Sequence, residues 1–173
     1  MPVTAHPHIA FLALGSNLGK PLAQLRNAVA SLNRVAGISV EQRSSIYQSP
    51  AWGASSEQPD YFNAVLCVRT RLDPHALWRA TSHVETAQGR VRDNHRNAAR
   101  TLDVDLLLYD DLILATDDLL IPHPRMHERA FVLLPLLEIA PDVTIPGYGQ
   151  ASIALPGVTS QKIQRIESAQ SWI

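Results

Sequence analysis

The 173-residue sequence predicts an α+β fold, a ferredoxin-like sandwich with a βαββαβ core and C-terminal additions. Segments typical of strands and helices follow one another in the order strand, helix, strand, strand, helix, strand. The two helical segments carry apolar residues at three- and four-residue spacing. We therefore expect helices on one face of a mainly antiparallel sheet. No repeat or linker divides the chain, which predicts a single domain over 1–173, with a core of about 8–159 and loose tails at 1–7 and 160–173.

The first half of the predicted core contains a strand, a helix and a second strand. Residues 8–14 are a short apolar run that ends at a turn containing Gly15. Pro21 is well placed to begin a helix and Gly37 to end it, since proline suits the first helical position and glycine follows helix ends. Residues 38–48 alternate between apolar and polar, and we interpret them as one strand.

The second half repeats the pattern after a long loop over residues 49–60, which is rich in Pro, Gly and Ser. Residues 61–71 alternate as a strand does. Asp73 followed by Pro74 predicts a capped helix start, and the helix ends near Gly89. Residues 101–109 form the last predicted core strand.

The C-terminal additions contain a short apolar run at 112–115 and a loop at 121–124. Residues 128–139 are typical of a helix. Pro135 lies inside this helix and is expected to bend or split it, because proline removes a helical hydrogen bond.

The composition excludes bulk binding to polyanions. A net charge of −1 argues against a protein that coats DNA or anionic membranes. The single cysteine, Cys67, cannot form an internal disulfide, which suits a reducing cytoplasm. The longest apolar stretches, 9–14 and 130–137, are far shorter than the ~20 residues of a membrane helix. We expect a cytoplasmic monomer with no nucleic-acid or membrane partner.

Two carboxylates on the last core strand are the strongest candidate for chemistry. Asp103 and Asp105 are two residues apart, so on a strand their side chains share one face. The opposite face is expected to point into the core through Leu102, Val104, Leu106 and Leu108. Adjacent carboxylates repel each other, and their oxygens suit Mg²⁺, which also takes phosphate ligands. Taken alone, the pair fits a solvated edge strand as well.

An arginine cluster lies immediately upstream of the two aspartates. Four of the chain's 13 Arg fall between positions 90 and 100, whereas the whole chain has only two Lys. Arginine binds phosphate oxygens through two donors and keeps its charge at neutral pH. A solvated loop is the alternative interpretation, but cations beside a carboxylate pair favour phosphate chemistry. The glycines of 15–20 do not have the spacing of a phosphate-binding P-loop.

Six motifs extend this interpretation, at 14–19 (LGSNLG), 58–64 (QPDYFNA), 88–92 (QGRVR), 100–105 (RTLDVD), 121–124 (IPHP) and 129–133 (RAFVL). In this order the motifs resemble those of the 6-hydroxymethyl-7,8-dihydropterin pyrophosphokinase family, over residues 9 to about 145. The resemblance implies transfer of the β,γ-diphosphate of MgATP to the hydroxymethyl group of the pterin. The products would be AMP and the pterin diphosphate, within tetrahydrofolate biosynthesis.

The resemblance also implies roles for individual residues on the phosphate side. Asp103 and Asp105 would hold two Mg²⁺ ions that bridge the ATP phosphates, and they count with Arg90 and Arg100 as catalytic. The implied nucleotide contacts are Glu85, Arg92, His123 and Arg129.

For the pterin, the resemblance implies a sandwich between Tyr61 and Phe131, since aromatic rings supply both contact area and orientation. Asn63 can both donate to and accept from the pterin edge. The remaining implied wall residues are Ser49, Pro50 and Trp52.

The sequence departs from the family pattern at two places and leaves alternatives open. Residues 97–99 (NAA) stand where Trp and Gly-Pro are common, which bears on loop closure. Ser49 replaces a common Thr or Glu. A non-catalytic nucleic-acid-binding module and a paired-aspartate nucleotidyltransferase are the alternative functions. The group that removes the hydroxyl proton, Asp105 or water, also stays open.

Overall fold

The computed structural model describes residues 3–54, 57–91 and 98–172. The elements are, in chain order, β1 (Val3–Ser16), α1 (Pro21–Arg34), β2 (Ile38–Arg43), β3 (Ile46–Ser49), β4 (Tyr61–Leu72), α2 (Pro74–Ala87), β5 (Asp103–Tyr109), β6 (Leu114–Ala115), β7 (Leu120–Ile121), α3 (Ala130–Ile139), β8 (Thr144–Ile145), β9 (Gly149–Gln150) and β10 (Gln164–Glu167). Short 3₁₀ segments span Met126–Glu128 and Ala151–Val158.

The main sheet has the strand order β10-β3-β4-β1-β5, and β2 pairs with β4 beside β3. Every pairing in it is antiparallel. Because β1, β2 with β3, β4 and β5 are the four core strands, this order confirms the predicted ferredoxin-like fold. Among the described residues, no helix combines the length and hydropathy that crossing a membrane requires.

Two apolar cores lie on opposite faces of the sheet. The first lies under α1 and α2 and contains alternate β1 residues, such as Ala10, Leu12 and Leu14. The second lies under α3 and the 3₁₀ segments, and contains Val65 and Leu133. The expectation of helices on one face is therefore incomplete, because the C-terminal additions cover the second face. α3 begins at Ala130 rather than at residue 128, and it continues through Pro135 without being split.

The segment predicted as one strand, 38–48, is two strands separated by Ser44 and Ser45. The backbone N–H and the hydroxyl of Ser45 both donate to the carboxylate of Glu138, at the end of α3. The Ser44 hydroxyl donates to the carbonyl oxygen of Ser45 and accepts from the N–H of Val65. Buried hydrogen bonds to side chains therefore replace a continuous ladder at this corner.

β5 contains a β-bulge that the alternation did not predict. Phe11 pairs with Leu108 and Leu12 pairs with Leu106, so Leu107 is the extra residue. Leu102, Val104 and Leu106 face the first core as expected. Leu108 faces the second core together with Leu107, so its predicted side is wrong.

The C-terminal residues are not the loose tail that we expected. β10 pairs with β3 between Gln164 and Gln48 and between Arg165 and Tyr47. Trp172 is only 1% exposed and lies in the first core. At the other end, β1 begins at Val3 rather than at residue 8. The tail is ordered because burying an indole and completing a sheet edge both lower the free energy of the folded chain.

Asp73 caps the N-terminus of α2, as its position before Pro74 predicts. The Asp73 side chain accepts a hydrogen bond from the N–H of Ala76 at 2.8 Å. Asp73→Ala should therefore lower the free energy of unfolding by about 1 kcal/mol, because the helix loses its cap. Urea unfolding measures this loss. Asp73→Asn keeps an acceptor and should stay close to the wild type, and equal losses in both variants would contradict the capping role.

Candidate active site

The sheet register brings side chains from three strands to one face. Gly15 of β1 lies opposite Asn63 of β4 and opposite Asp103 of β5. Residues directly opposite each other project from the same face, so Asn63 and Asp103 flank a position with no side chain. A Cβ atom at Gly15 would lie 3.6 Å from both Asn63 Oδ1 and Tyr61 Cδ1. Glycine here therefore keeps open the floor between the amide and the carboxylate.

A cavity of about 240 Å³ opens above this floor. Among the residues that line it are most of the predicted site residues: Ser49, Pro50, Trp52, Tyr61, Asn63, Arg100, Asp103, Asp105, His123, Arg129 and Phe131. Glu85 and Arg90 lie beside it, in contact with its charged side. Arg92 and Asn97 fall outside the described residues. The structure thus brings together residues that are up to 82 positions apart, from Ser49 to Phe131.

One side of the cavity is an aromatic and amide wall. Asn63 is buried, and its Nδ2 donates to Ser49 Oγ at 3.0 Å. This bond fixes the amide and leaves Oδ1 on the side of Gly15. The Tyr61 hydroxyl donates to the carbonyl oxygen of Ala98 at 3.3 Å, next to the arginine-rich segment. This wall can bind a flat polar ring by contacting both its face and its edge.

Two arginines stack on the aromatic side chains at the mouth of the cavity. The Arg125 guanidinium carbon lies 4.6 Å from the ring centroid of Trp52. The guanidinium carbon of Arg129 lies 5.7 Å from the ring centroids of both Trp52 and Phe131. Such cation–π contacts hold the exposed indole in place. Arg125 was not predicted as a site residue, because no pattern connects it to a loop more than 70 positions earlier.

The opposite side of the cavity is a charged cluster around Asp103. Arg90 Nη1 donates to Asp103 Oδ1 at 2.8 Å, and Arg100 Nη1 donates to Asp103 Oδ2 at 2.8 Å. Arg90 also forms an ion pair with Glu85. Each oxygen of Asp103 therefore has its own guanidinium partner, and both arginines are held at the cavity.

Glu85, on α2, contacts this cluster through Arg90. It is only 4% exposed, and its Oε1 accepts from the N–H of Val104 at 2.7 Å. Burial raises the pKa of Glu85 to about 7, and the charge of Asp103 adds to the increase, although Arg90 and the Val104 hydrogen bond act against it. Glu85 does not line the cavity, so in this structure it acts on the site through Arg90.

The turn after β1 fixes Arg100. Asn17 Oδ1 accepts from the backbone N–H of Arg100 at 2.8 Å, and the N–H of Asn17 donates to the carbonyl oxygen of Arg100 at 3.0 Å. Asn17 Nδ2 in turn donates to the carbonyl oxygen of Pro59. Asn17 was not predicted as a site residue, although it lies inside the first motif. Its role is to join the turn to both neighbouring segments.

Asp105 has no guanidinium bonded to it in the part of the chain that the structure describes. His123 Nε2 lies 3.8 Å from Asp105 Oδ2. Burial raises the pKa of Asp105 well above its ordinary value, and repulsion from Asp103 adds to this. Among the described residues, no group of three or more His, Cys, Asp or Glu is arranged to hold a metal ion by itself. The two carboxylates therefore fit a cation such as Mg²⁺ that takes its other ligands from water and phosphate.

His123 and Arg129 lie beside these carboxylates. Burial lowers the pKa of His123 to about 4, and the positive charge of Arg129 lowers it further. At neutral pH the imidazole is therefore neutral and can donate one hydrogen bond. The buried Nε of Arg129 has no hydrogen-bond partner among the described residues. Arg129 itself lines the cavity, so its guanidinium can bind an anion there.

A second recess of about 280 Å³ lies on the other side of Asp105 and His123. Its remaining lining includes Trp78, Leu106 and Leu119, together with the acidic pair Asp117 and Asp118. Asp105 and His123 line both hollows, so the two hollows are adjacent. The sequence pattern did not predict this recess, since its lining comes from separate segments of α2, β5 and β7.

The fold and the site together define the class of protein. A ring-binding wall that faces paired carboxylates and several arginines is typical of an enzyme that transfers a phosphate-containing group. Residues 11–141 match the family described as 7,8-dihydro-6-hydroxymethylpterin-pyrophosphokinase (HPPK). The chain belongs to this family and is a pyrophosphokinase of folate biosynthesis, which confirms the function predicted from the sequence.

Named relatives support the assignment across nearly the whole chain. A 2-amino-4-hydroxy-6-hydroxymethyldihydropteridine pyrophosphokinase of Methylorubrum extorquens is 40% identical over 158 residues, covering 91% of this chain and 98% of the relative. One from Synechocystis is 41% identical and covers 95% of this chain and 80% of the relative. One from Haemophilus influenzae is 43% identical and covers 79% of this chain and 84% of the relative.

Solved structures support the fold. A Plasmodium falciparum HPPK-DHPS structure with pterin and p-hydroxybenzoate matches with a TM-score of 0.72 at 12% identity, over 92% of this chain. An HPPK-DHPS structure in complex with substrates matches with a TM-score of 0.66 at 15% identity, over 90% of this chain. This chain spans 43% of each of those longer chains.

The raised pKa of Glu85 predicts a pH-dependent stability. Between its unfolded pKa of about 4.5 and its folded pKa of about 7, the folded chain holds a proton that the unfolded chain has lost. Stability from Glu85 is thus fully present below pH 4.5 and decreases as pH rises towards 7. In Glu85→Gln this decrease should disappear. The free energy of unfolding of the variant minus that of the wild type should rise between pH 4.5 and 7 and then level off.

Urea unfolding at several pH values measures this difference. Glu41→Gln is the control, because Glu41 lies on β2 away from the cavity, and it should give a difference that does not rise over the same range. A pH-independent difference for Glu85→Gln would contradict the assigned burial of the ionisable group.

Proposed function

We propose that this chain transfers the β,γ-diphosphate of MgATP to the hydroxymethyl group of 6-hydroxymethyl-7,8-dihydropterin, giving AMP and the pterin diphosphate. One observation carries the proposal: a single cavity joins a wall suited to a flat heterocycle with a charged cluster suited to phosphates. The relatives from Methylorubrum extorquens and Synechocystis are named pyrophosphokinases of the same pterin, which supports this reaction class.

The heterocycle would bind between Tyr61 and Phe131, with Asn63 at its edge. Asn63 Nδ2 is occupied by Ser49 Oγ, so Oδ1 remains as an acceptor for an amino or ring N–H group. Pro50 and Trp52 would complete the wall, and Arg125 would hold the Trp52 ring in position. Bound in this way, the ring would direct its substituent towards the carboxylate pair.

The nucleotide would approach from the second recess, with its phosphates reaching the first cavity past Asp105 and His123. Arg129 and the neutral His123 would donate to phosphate oxygens there. Asp103 and Asp105 would hold Mg²⁺, two ions by the resemblance, which when bound would neutralise phosphate charge. Arg92 is a further proposed phosphate contact.

Arg90 and Arg100 would stabilise the charge that develops during transfer. The hydroxymethyl oxygen would form a bond to the β-phosphorus and lose its proton to Asp105 or to water, while the bond from that phosphorus to the α-phosphate oxygen breaks and AMP leaves. From their positions beside Asp103, the two arginines would reach the phosphate oxygens. Positioning of the two substrates and charge stabilisation account for the chemistry that this site supplies. We further propose that the enzyme acts as a cytoplasmic monomer.

The decisive experiment incubates the protein with MgATP and 6-hydroxymethyl-7,8-dihydropterin and identifies the nucleotide product. AMP that forms only when the pterin is present is the expected result. Release of inorganic diphosphate would instead indicate nucleotidyl transfer. Absence of turnover together with tight RNA binding would indicate a binding module.

Removing either carboxylate should abolish most activity without unfolding the chain. Asp103→Ala and Asp105→Ala remove the proposed metal ligands, while both side chains lie at the cavity rather than in a core. Activity and circular dichroism together measure the outcome. Asp111→Ala, in the turn after β5, is the control and should keep wild-type activity. Near-wild-type turnover in either active-site variant would contradict the metal assignment.

Removing either arginine should lower kcat far more than it weakens pterin binding. Arg90 and Arg100 hydrogen-bond to Asp103, whereas the amide of Asn63 is oriented by Ser49, so ring binding should persist. A donor used in the transition state typically contributes a factor of about 10²–10³ in kcat. Steady-state kinetics and pterin titration of Arg90→Ala and Arg100→Ala measure the two effects. Equal losses in kcat and in pterin affinity would indicate a structural role.

A further inference from the structure

The corner between β2 and β3 consists of Ser44 and Ser45, and it accepts or donates hydrogen bonds on both faces of the sheet. Ser44 and Ser45 are buried, and Ser44 exchanges hydrogen bonds with Val65 of the neighbouring β4. The corner is part of a short path to the cavity, because β3 begins at Ile46 and ends at Ser49. Any displacement of the corner is therefore transmitted to a cavity residue over only four positions.

From the α1 and α2 face, the C-terminal segment holds the corner through Trp172. The indole is 1% exposed, and its Nε1 donates to the carbonyl oxygen of Ser44 at 2.8 Å. Arg43 stacks on the same ring at 5.9 Å, and its Nε donates to the carbonyl oxygen of Ala169. Buried hydrogen bonds of this kind fix orientation as well as adding stability.

From the α3 face, Glu138 holds the corner. Its carboxylate accepts from the N–H and the hydroxyl of Ser45, at 3.1 and 2.6 Å, and from the hydroxyl of Tyr47 at 2.8 Å. Tyr47 lies opposite Asn63 in the β3 and β4 pairing. Glu138 therefore fixes both the corner and the strand residue next to the cavity amide.

The cavity residue at the far end of β3 depends on this arrangement. Ser49 Oγ is the acceptor that orients Asn63, and the two backbone partners of β3 are β4 and β10. The carboxylate and arginine cluster is instead held by α2 and β5, through the contacts of Glu85 with Val104 and Arg90. The two halves of the cavity thus have separate supports.

We propose that Trp172 and Glu138 are positioning residues for the ring-binding half of the cavity, an assignment that rests on the proposed function. Together they clamp Ser44 and Ser45, hold β3 in place and so set the position of Ser49 and the orientation of Asn63. The C-terminal segment, which lies beyond the matched family region of 11–141, thereby takes part in substrate binding.

The test separates ring binding from chemistry. Trp172→Phe keeps an aromatic ring and removes the N–H donor, and Glu138→Ala frees Ser45 from the other face. In each variant the KM for the pterin should rise about 3- to 10-fold, with kcat and the KM for ATP within about 2-fold of the wild type. Direct titration with the pterin should show the same loss of affinity. Glu138→Ala removes a partly exposed side chain and tests the clamp even if the Trp172 variant fails to fold.

Ile145→Ala is the matched control, since Ile145 is buried in the second core but does not line the cavity. It should lower the free energy of unfolding and leave the pterin KM unchanged. A pterin KM that stays at the wild-type value in both clamp variants, or that rises equally in the control, overturns the positioning role. A wild-type enzyme that neither binds nor converts the pterin overturns the proposed function as well.

Discussion

The antiparallel pairing of β4 and β5 on either side of β1 is the constraint on which the site depends. It places Asn63, Gly15 and Asp103 in one row across three strands. The amide and the carboxylate face each other across a gap only because the central position carries no side chain. Both proposed substrates would therefore be positioned by the same rigid sheet. This suits a reaction that is limited by the positioning of two molecules. The surrounding loops then add contacts to a geometry that the sheet has already set.

The two carboxylates of β5 differ in how far neighbouring charges balance them. Asp103 is paired with two arginines, one of which is paired again with buried Glu85, so this side of the cavity is neutralised internally. Asp105 has no such partner among the described residues, and burial together with repulsion from Asp103 raises its pKa. Substrate phosphates would compete with Asp103 for the same guanidinium groups. The internal ion pairs hold those groups near the position where phosphate is needed, which reduces reorganisation when the substrate binds.

The core strands and helices could be predicted because each has a clear period and end signals, and the two-residue spacing alone placed Asp103 and Asp105 on one face. The six motifs contain most of the residues that line the cavity. Three features could not be read in this way. The alternation of residues 38–48 continues through Ser44, so it does not indicate the corner between β2 and β3. That corner depends on hydrogen bonds to Glu138, which is more than 90 positions away. The tail is polar around Trp172, and only the tertiary structure shows that this indole is buried.

The bulge at Leu107 is the third such feature, and it limits how β5 can change in evolution. Before the bulge, the strand directs its carboxylates to the cavity and its apolar residues to the first core. After it, both leucines support the layer beneath α3. Substitutions of similar volume on one side of Leu107 can accumulate without altering the other side. Deletion of Leu107 itself would leave Leu106 opposite Leu12 and Leu108 opposite Phe11, so both halves of the strand would keep their facing. We therefore expect lineages of this family to tolerate the loss of this one residue while the two carboxylates keep their positions.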